Sequence, residues 1–200
     1  KSNNKEIQTM VLRLGILISG NGSNMLNIVE SCIKKKINAE VGIVISNNPN
    51  SSGLKKLQEF NINFKVLRLD NFKNKGMYEQ EISNLLIREN INFVCLAGYM
   101  KILGPSFLKK WNKKVINIHP SLLPSFKGIN AQERALKYNV KFSGCTIHFV
   151  NGEIDGGEII DQSIVRVDKN ETVKSLKKKI LIEEHKLYIN VLENIIQKES

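Results

Sequence analysis

The fold class follows from one stretch near the amino terminus, Leu12-Arg13-Leu14-Gly15-Ile16-Leu17-Ile18-Ser19-Gly20-Asn21-Gly22-Ser23-Asn24. Its first seven residues are mostly apolar and predict a buried strand. The glycines and asparagines that follow are typical of a tight turn. Beyond the turn, apolar residues recur at helical spacing, at Met25, Ile28, Val29, Cys32 and Ile33. The stretch therefore predicts a strand, a glycine-rich loop and a helix, in that order.

The same alternation continues through the first half of the chain. We predict strands over residues 41–45, 64–69 and 93–97, with helices over residues 54–60 and 77–90 between them. Strands that alternate with helices are joined by right-handed crossovers and lie parallel in one sheet. The predicted fold class is therefore α/β, a Rossmann-like, mostly parallel twisted sheet with helices on both faces.

The pattern changes in the second half. We predict strands over residues 115–118, 142–150 and 158–167, a short helix over 131–138 and a long amphipathic helix over 171–198. The long helix would be capped by Asn170. The two longer strands flank a short loop, which predicts an antiparallel or mixed edge toward the C-terminus. We expect a single domain over residues 1–200, with residues 1–10 either disordered or foreign to the native chain.

Composition excludes several classes of protein. No apolar run approaches the ~20 residues that cross a bilayer, so we expect no membrane partner. The three cysteines, Cys32, Cys95 and Cys145, are far apart and odd in number, which predicts a reducing, cytoplasmic location without disulfide bonds. A net charge of +11 permits a nucleic-acid surface, but the lysine clusters fall in different elements and only 6% of residues are aromatic. We therefore interpret the lysines as a solvated surface and expect no nucleic-acid partner.

The loop at residues 20–24 has the features of an anion site. Exposed N–H groups at a helix start attract anions, and glycines allow close approach. Ser23 and Asn24 add side-chain donors. The loop lacks the Gly-Lys-Ser/Thr of a Walker A motif, and Met25 replaces the third glycine of a dinucleotide fingerprint. A phosphate monoester is therefore a better prediction than NAD, and a tight turn that binds nothing remains an equal alternative.

Three polar residues could carry chemistry. Asn117 and His119 alternate along one strand and point the same way, next to a proline that ends the strand. An amide can stabilise an oxyanion, and an imidazole can exchange protons near neutral pH. Asp155, between an apolar residue and two glycines, could orient His119 or a water molecule. The plainer alternatives are an ordinary strand end and a turn aspartate.

Other sites receive weaker support. Residues 97–103 follow a strand at its carboxyl end, where α/β sheets form pockets, and their apolar character suits either a flat aromatic ligand or plain core packing. The three histidines, His119, His148 and His185, lack the spacing of metal ligands, so we expect no metal. His148 lies within a predicted strand and is interpreted as structural.

These residues together resemble the folate-dependent formyltransferases. The resemblance runs from about residue 14 to about residue 188 and is carried by residues 18–24, 96–103, 117–124, 148–150 and 155–157. The Asn-x-His…Asp set is shared by the whole family. The Ser-Gly-Asn-Gly-Ser-Asn loop is similar to the branch that formylates glycinamide ribonucleotide in purine biosynthesis. The resemblance implies transfer of a formyl group from 10-formyltetrahydrofolate, a co-substrate, to the amine of that ribonucleotide.

The resemblance also implies roles for individual residues. Asn117 would stabilise the oxyanion, His119 would assist it and shuttle protons, and Asp155 would tune His119 and hold a relay water. Gly22, Ser23 and Asn24 would hold the substrate phosphate, and Glu184 the ribose. The folate would contact Lys75, Tyr99, Met100, Lys101, Ile102, Leu103, Asn151, Gly152, Glu153 and Ile154.

The sequence departs from the family pattern at a few positions, and two other functions remain as alternatives. Lys101 stands where arginine is common. Only Lys73 and Lys75 are found after the third strand, where an arginine often meets the folate tail, and Leu181 stands where a basic or amide residue is common. The alternatives are a formyltetrahydrofolate hydrolase, which gives the formyl group to water, and a basic nucleotide- or nucleic-acid-binding module without chemistry. The implied partners are the two small-molecule substrates, and the protein would be a monomer or a homodimer.

Overall fold

The computed structural model describes residues 11–199; the expectation for residues 1–10 lies outside this range. The strands are β1 (Leu12–Ile18), β2 (Ala39–Ser46), β3 (Phe64–Val66), β4 (Phe93–Leu96), β5 (Val115–His119), β6 (Phe142–Phe149) and β7 (Ile159–Arg166). The helices are α1 (Ser23–Ile33), α2 (Ser52–Leu57), α3 (Lys75–Arg88), α4 (Pro105–Lys110), α5 (Ala131–Lys137) and α6 (Val173–Glu199).

The strands form one mixed sheet in the order β3-β2-β1-β4-β5-β6-β7. The pairs among β1 to β5 are parallel, whereas β6 pairs antiparallel with β5 and with β7. The chain runs outward from β1 to β3 and then returns to the other side of β1, so the strand order reverses between β1 and β4. Open α/β sheets bind ligands at the carboxyl ends of the strands beside such a reversal. The predicted fold class and its antiparallel edge are confirmed.

Helices bury both faces of the sheet. Residues of α1, α2, α5 and α6 cover one face, with Met25 and Tyr188 fully buried there. Residues of α3 and α4 cover the other face, where Tyr78 and Phe107 are buried. The strands of the sheet centre are apolar on both sides because each face packs against helices. This double burial explains why β1, β2 and β4 are mostly apolar in the sequence.

Two elements differ from the prediction. β3 ends at Val66 although the alternation continues to residue 69, because β3 pairs only with β2 and β2 ends at Ser46, opposite Val66. The chain then forms a 3-10 turn over Leu69–Asn71. α4 was not predicted, since its six residues bury only Phe107 and show no helical period. The other elements lie where predicted, with ends displaced by a few residues.

α6 begins later than predicted. The Oγ1 of Thr172 accepts the N–H of Ser175 at 3.1 Å, and the Oγ of Ser175 accepts the N–H of Thr172 at 3.0 Å. This reciprocal pair is a capping box, which satisfies the first free N–H groups of the helix. The prediction of Asn170 as the cap is therefore wrong. Neither α6 nor any other helix within residues 11–199 combines the length and apolarity of a membrane span.

Candidate active site

Hydrogen bonds join the loops at the carboxyl ends of β1, β2 and β4. Ser19 donates its N–H to the carbonyl of Gly98 (3.1 Å), and its Oγ accepts the N–H of Met100 (2.8 Å). The Nδ2 of Asn48 donates to the carbonyl of Ser19 (3.1 Å). Ser19 therefore connects loops on both sides of the reversal in strand order, and the candidate site lies along this edge of the sheet.

His119 ends β5 with its side chain only 7% exposed. Its Nδ1 lies 3.2 Å from the Oδ2 of Asp155, and its Nε2 lies 2.9 Å from the carbonyl oxygen of Phe126. Both ring nitrogens thus face hydrogen-bond acceptors. An imidazolium ion can donate to both acceptors, whereas a neutral ring can donate to one. These two contacts therefore fix the orientation of the imidazole ring from both sides.

Both partners of His119 have an unusual backbone. The φ angle is 48° at Asp155 and 56° at Phe126, in the left-handed region that residues other than glycine rarely adopt. Asp155 is fixed further by the N–H of Gly128, which donates to its Oδ2 at 2.7 Å. Such strain persists only where surrounding contacts impose it, and it concentrates at functional sites. Positive φ angles also occur at Lys35, Asn90, Lys113 and Asn139, so the backbone at Phe126 and Asp155 supports a functional site only together with their contacts to His119.

His148 lies in the same cluster, although its sequence context indicated a structural role. Its Nε2 is 3.2 Å from the Nδ2 of Asn117 and 3.7 Å from Asp155, and its Nδ1 is 2.9 Å from the carbonyl of Phe149. Burial lowers the pKa of His148, so the ring is neutral near pH 7. It then donates from Nδ1 and accepts at Nε2, which leaves the second N–H of the Asn117 amide for a ligand.

α1 begins at the predicted anion loop. Gly22 has a φ of 64°, and a Cβ there would lie 3.1 Å from the Cα of Gly53, so the position favours glycine. The carbonyl of Gly22 accepts the N–H of Leu26, the first bond of the helix. The N–H groups of Ser23 and Asn24 precede that bond and have no acceptor within the helix. These groups, at the positive end of α1, can bind an anion.

The side chain of Asn24 is engaged with α6. Its Nδ2 donates to the Oε2 of Glu184 at 2.7 Å, and the two residues are 7% and 8% exposed. Burial raises the pKa of Glu184, and the hydrogen bond from Asn24 opposes that shift. The amide of Asn24 therefore orients Glu184, and its backbone N–H is the group left for an anion. α6 brings Glu184 to the start of α1.

A cavity of about 250 Å³ lies beside the loop that follows β4. Met100, Lys101 and Ile102 line it from the loop, and Lys75 and Glu79 line it from α3. Met100 is 75% exposed and Ile102 is 55% exposed, so the cavity has apolar surface available to a flat ring. The Nζ of Lys75 lies 3.4 Å from the Oε1 of Glu79, which partly compensates its charge. Lys101 also lines a neighbouring polar cavity.

Two residues of the same loop are buried and do not line this cavity. Tyr99 and Leu103 are 8% and 3% exposed and pack in the core layer that α3 covers. The hydroxyl of Tyr99 lies 2.8 Å from that of Tyr78. Tyr99 and Leu103 therefore offer little surface to a ligand.

The loop before Asp155 is short and mostly exposed. The Oδ1 of Asn151 accepts the N–H of Glu153 at 2.9 Å, which closes a turn around Gly152. Ile154 is 55% exposed beside Asp155. Within residues 11–199, no three side chains of histidine, cysteine, aspartate or glutamate are grouped as ligands of a metal ion.

Known proteins share this architecture. A profile of the formyl transferase family matches residues 12–192. A phosphoribosylglycinamide formyltransferase of Bacillus subtilis is 32% identical over 184 residues, which cover 92% of this chain and 94% of that protein. The crystal structure of glycinamide ribonucleotide transformylase 1 from Symbiobacterium toebii has a TM-score of 0.91 at 34% identity, covering 94% of this chain and 89% of that one.

A longer relative matches as well. The human trifunctional purine biosynthetic protein adenosine-3 is 42% identical over 181 residues, or 90% of this chain. The chain spans only 18% of the length of that relative. The family profile covers most of the chain, and the Bacillus relative is matched over nearly its full length. This protein therefore belongs to the formyl transferase family.

Proposed function

We propose that this protein transfers the formyl group of 10-formyltetrahydrofolate to the amine of glycinamide ribonucleotide in purine biosynthesis, as the names of its relatives suggest. The main support for this proposal is the cluster of Asn117, His119 and Asp155 at the end of β5. This cluster lies two strands away from β1, which leads into α1. Neighbouring strands lie ~4.8 Å apart, so these points are separated by ~10 Å. That separation suits a substrate with a phosphate at one end and an amine at the other.

The reaction needs no nucleophile from the protein. The substrate amine attacks the formyl carbon, a tetrahedral oxyanion forms, and the bond between that carbon and N10 of the folate breaks. Asn117 donates its free amide N–H to the oxyanion, and His119 stabilises the same charge. Asp155 holds His119 and a water that carries the proton from the amine to N10. The remaining rate acceleration comes from holding the two bound substrates in the orientation that the reaction requires.

The ribonucleotide would lie between α1 and the end of β5. Its phosphate would accept hydrogen bonds from the backbone N–H groups of Gly22, Ser23 and Asn24, where the dipole of α1 favours negative charge. Glu184, oriented by Asn24, would accept hydrogen bonds from the ribose hydroxyls. In this proposal Asn24 therefore serves both parts of the substrate, one through its backbone and one through Glu184.

The folate would occupy the cavity beside the β4 loop. Its ring system would contact Met100, Ile102 and the loop from Asn151 to Ile154, with Tyr99 and Leu103 contributing backbone groups. Lys75 and Lys101 would attract its glutamate carboxylates. We further propose that the whole chain acts as one domain in the cytoplasm, a location suited to the unpaired Cys95 and Cys145.

A spectroscopic assay tests the function directly. The purified protein is given 10-formyltetrahydrofolate with and without glycinamide ribonucleotide, and the change in folate absorbance is followed. We expect folate release that depends on the ribonucleotide. Release without the ribonucleotide would identify a hydrolase, and the absence of release in both arms would contradict formyl transfer. The similarity to proteins named as transferases favours the first outcome.

The role of His119 is tested by replacing it. We expect His119→Ala to lower kcat by about 10²- to 10⁴-fold, because proton transfer and oxyanion stabilisation are both lost. Thermal unfolding of the variant should still be cooperative, which separates lost chemistry from lost structure. A kcat close to that of the wild type would contradict the role assigned to His119.

A further inference from the structure

One loop contacts both His119 and its carboxylate partner. The carbonyl of Phe126 accepts from the Nε2 of His119 at 2.9 Å. Two residues later, the N–H of Gly128 donates to the Oδ2 of Asp155 at 2.7 Å. Movement of residues 126–128 would therefore change the hydrogen bonds of His119 and of Asp155 together.

This loop is strained and depends on outside contacts. Positive φ angles occur at Phe126 (56°), Gly128 (78°) and Asn130 (56°), and only one of the three is a glycine. A left-handed backbone at an aromatic residue is unfavourable and is kept only where the surroundings impose it. The loop therefore needs anchors to keep its carbonyl of Phe126 against His119.

α5 supplies these anchors. The guanidinium of Arg134 lies 5.8 Å from the centre of the Phe126 ring, and its Nη2 donates to the carbonyl of Lys127. The ring of Tyr138, four residues later on the same face, lies 5.8 Å from the Phe126 ring. The Nε of Arg134 is buried and has no hydrogen-bond partner among the described residues, so the guanidinium is held by its other contacts.

We propose that Arg134 is a positioning residue of the formyl transfer, acting through the loop 126–128 on His119 and Asp155. This inference rests on the proposed function. Arg134 fixes the loop at two points, the ring of Phe126 by cation–π attraction and the carbonyl of Lys127 by a charge-assisted hydrogen bond. Without these contacts the strained backbone relaxes, the carbonyl of Phe126 leaves the Nε2 of His119, and the imidazole loses its fixed orientation.

Steady-state kinetics of three variants test the proposal. We expect Arg134→Ala to lower kcat by about 10- to 100-fold, because a displacement near 1 Å at a reacting group has that cost, with both KM values changed less than about threefold. Arg134→Gln, which retains a donor for the carbonyl of Lys127, should recover part of the loss. Lys137→Ala, an exposed position on the same helix, is the control and should match the wild type. A lowered melting temperature with unchanged kcat would reduce Arg134 to a structural role and overturn the proposal.

Nitrogen NMR of the imidazole rings provides a readout that does not need activity. The chain has three histidines, so the signals of His119 can be assigned by their loss in His119→Asn. We expect the Nε2–H signal of His119 to be retained in Lys137→Ala and to be lost or shifted toward that of a solvent-exposed ring in Arg134→Ala. An unchanged signal in Arg134→Ala would overturn the proposal. If Arg134→Ala changes the His119 signal but the wild type shows no formyl transfer, the proposed function is contradicted, whereas the positioning of the His119 ring by Arg134 is supported.

Discussion

At the scale of single residues, the candidate site depends on positions where the backbone leaves no room for a side chain. Asp155 is followed by Gly156 and Gly157. At Gly157 a Cβ would lie 1.7 Å from the carbonyl oxygen of Phe149, far inside any possible contact. At Gly152, in the same loop, a Cβ would meet no atom within 4 Å. Alanine substitutions at these two glycines therefore provide a matched comparison, one with a steric clash and one without.

Gly157→Ala should destabilise the protein, whereas Gly152→Ala should not. We expect Gly157→Ala to lower the free energy of unfolding by about 1–3 kcal/mol, because the loop must move away from Phe149. Gly152→Ala should stay within about 0.5 kcal/mol of the wild type. Urea unfolding of the three proteins provides the comparison. Equal stability of the two variants would mean that the close approach at Gly157 is not rigid.

The sequence predicted some site residues better than others. Alternation along one strand placed Asn117 and His119 on the same face without knowledge of the sheet. The contact of His148 with Asn117 arises from the register of two strands. β6 runs antiparallel to β5, and His148 lies directly opposite Asn117. Opposed residues in such a pair point to the same face. Register is set by pairing between distant segments, so periodicity within β6 could not reveal this contact.

At the scale of elements, local patterns predicted the interiors of helices and strands better than their ends. β3 stops where its partner β2 stops, and α6 begins where Thr172 and Ser175 cap each other. Both ends are decided by contacts that hydrophobic periodicity does not contain. The side chain of Asn24 illustrates the same limit. It was expected to bind an anion, but the packing of α6 on α1 brings Glu184 to it instead.

Neighbouring glutamates on α6 offer a test of the substrate site. We expect Glu184→Gln to raise the KM for glycinamide ribonucleotide by about 10- to 100-fold with kcat nearly unchanged, because glutamine has one acceptor oxygen, and the contact with Asn24 leaves none for the ribose hydroxyls. The substituted side chain would keep an acceptor oxygen for Asn24, so the fold should be preserved. Glu183→Gln is the control, since Glu183 contacts Ser163 and Lys186 instead. Equal KM values in the two variants would contradict a ribose contact at Glu184.

At the scale of the whole molecule, the fold class was predictable because the sequence patterns of all segments in the first half indicate the same fold. The apolar strands, intervening helices and glycine turns all indicate a parallel sheet buried on both faces. The strand order was not predictable in the same way. It depends on which side of β1 the chain returns to after β3, and no local pattern near β4 records that choice.

The half-buried His185 makes stability depend on pH. Burial lowers the pKa of His185, an effect that the charge of Glu30 opposes. The unfolded chain therefore binds a proton more readily than the folded protein, and His185 should cost stability as the pH falls below about 6.5. We expect the free energy of unfolding to fall between pH 8 and pH 5.5 more steeply in the wild type than in His185→Gln. Urea unfolding across this range measures both slopes, and parallel curves would contradict the prediction.

The hydrogen bond between Asn24 and Glu184 joins residues 160 positions apart in the chain. During synthesis on a ribosome, α1 and the anion loop emerge well before α6. A nascent chain that lacks α6 would carry Asn117, His119 and Asp155 but no partner for Asn24. The proposed ribonucleotide could therefore stabilise only chains in which α6 has packed on α1, and metabolite binding in the cell would favour these over chains that still lack α6.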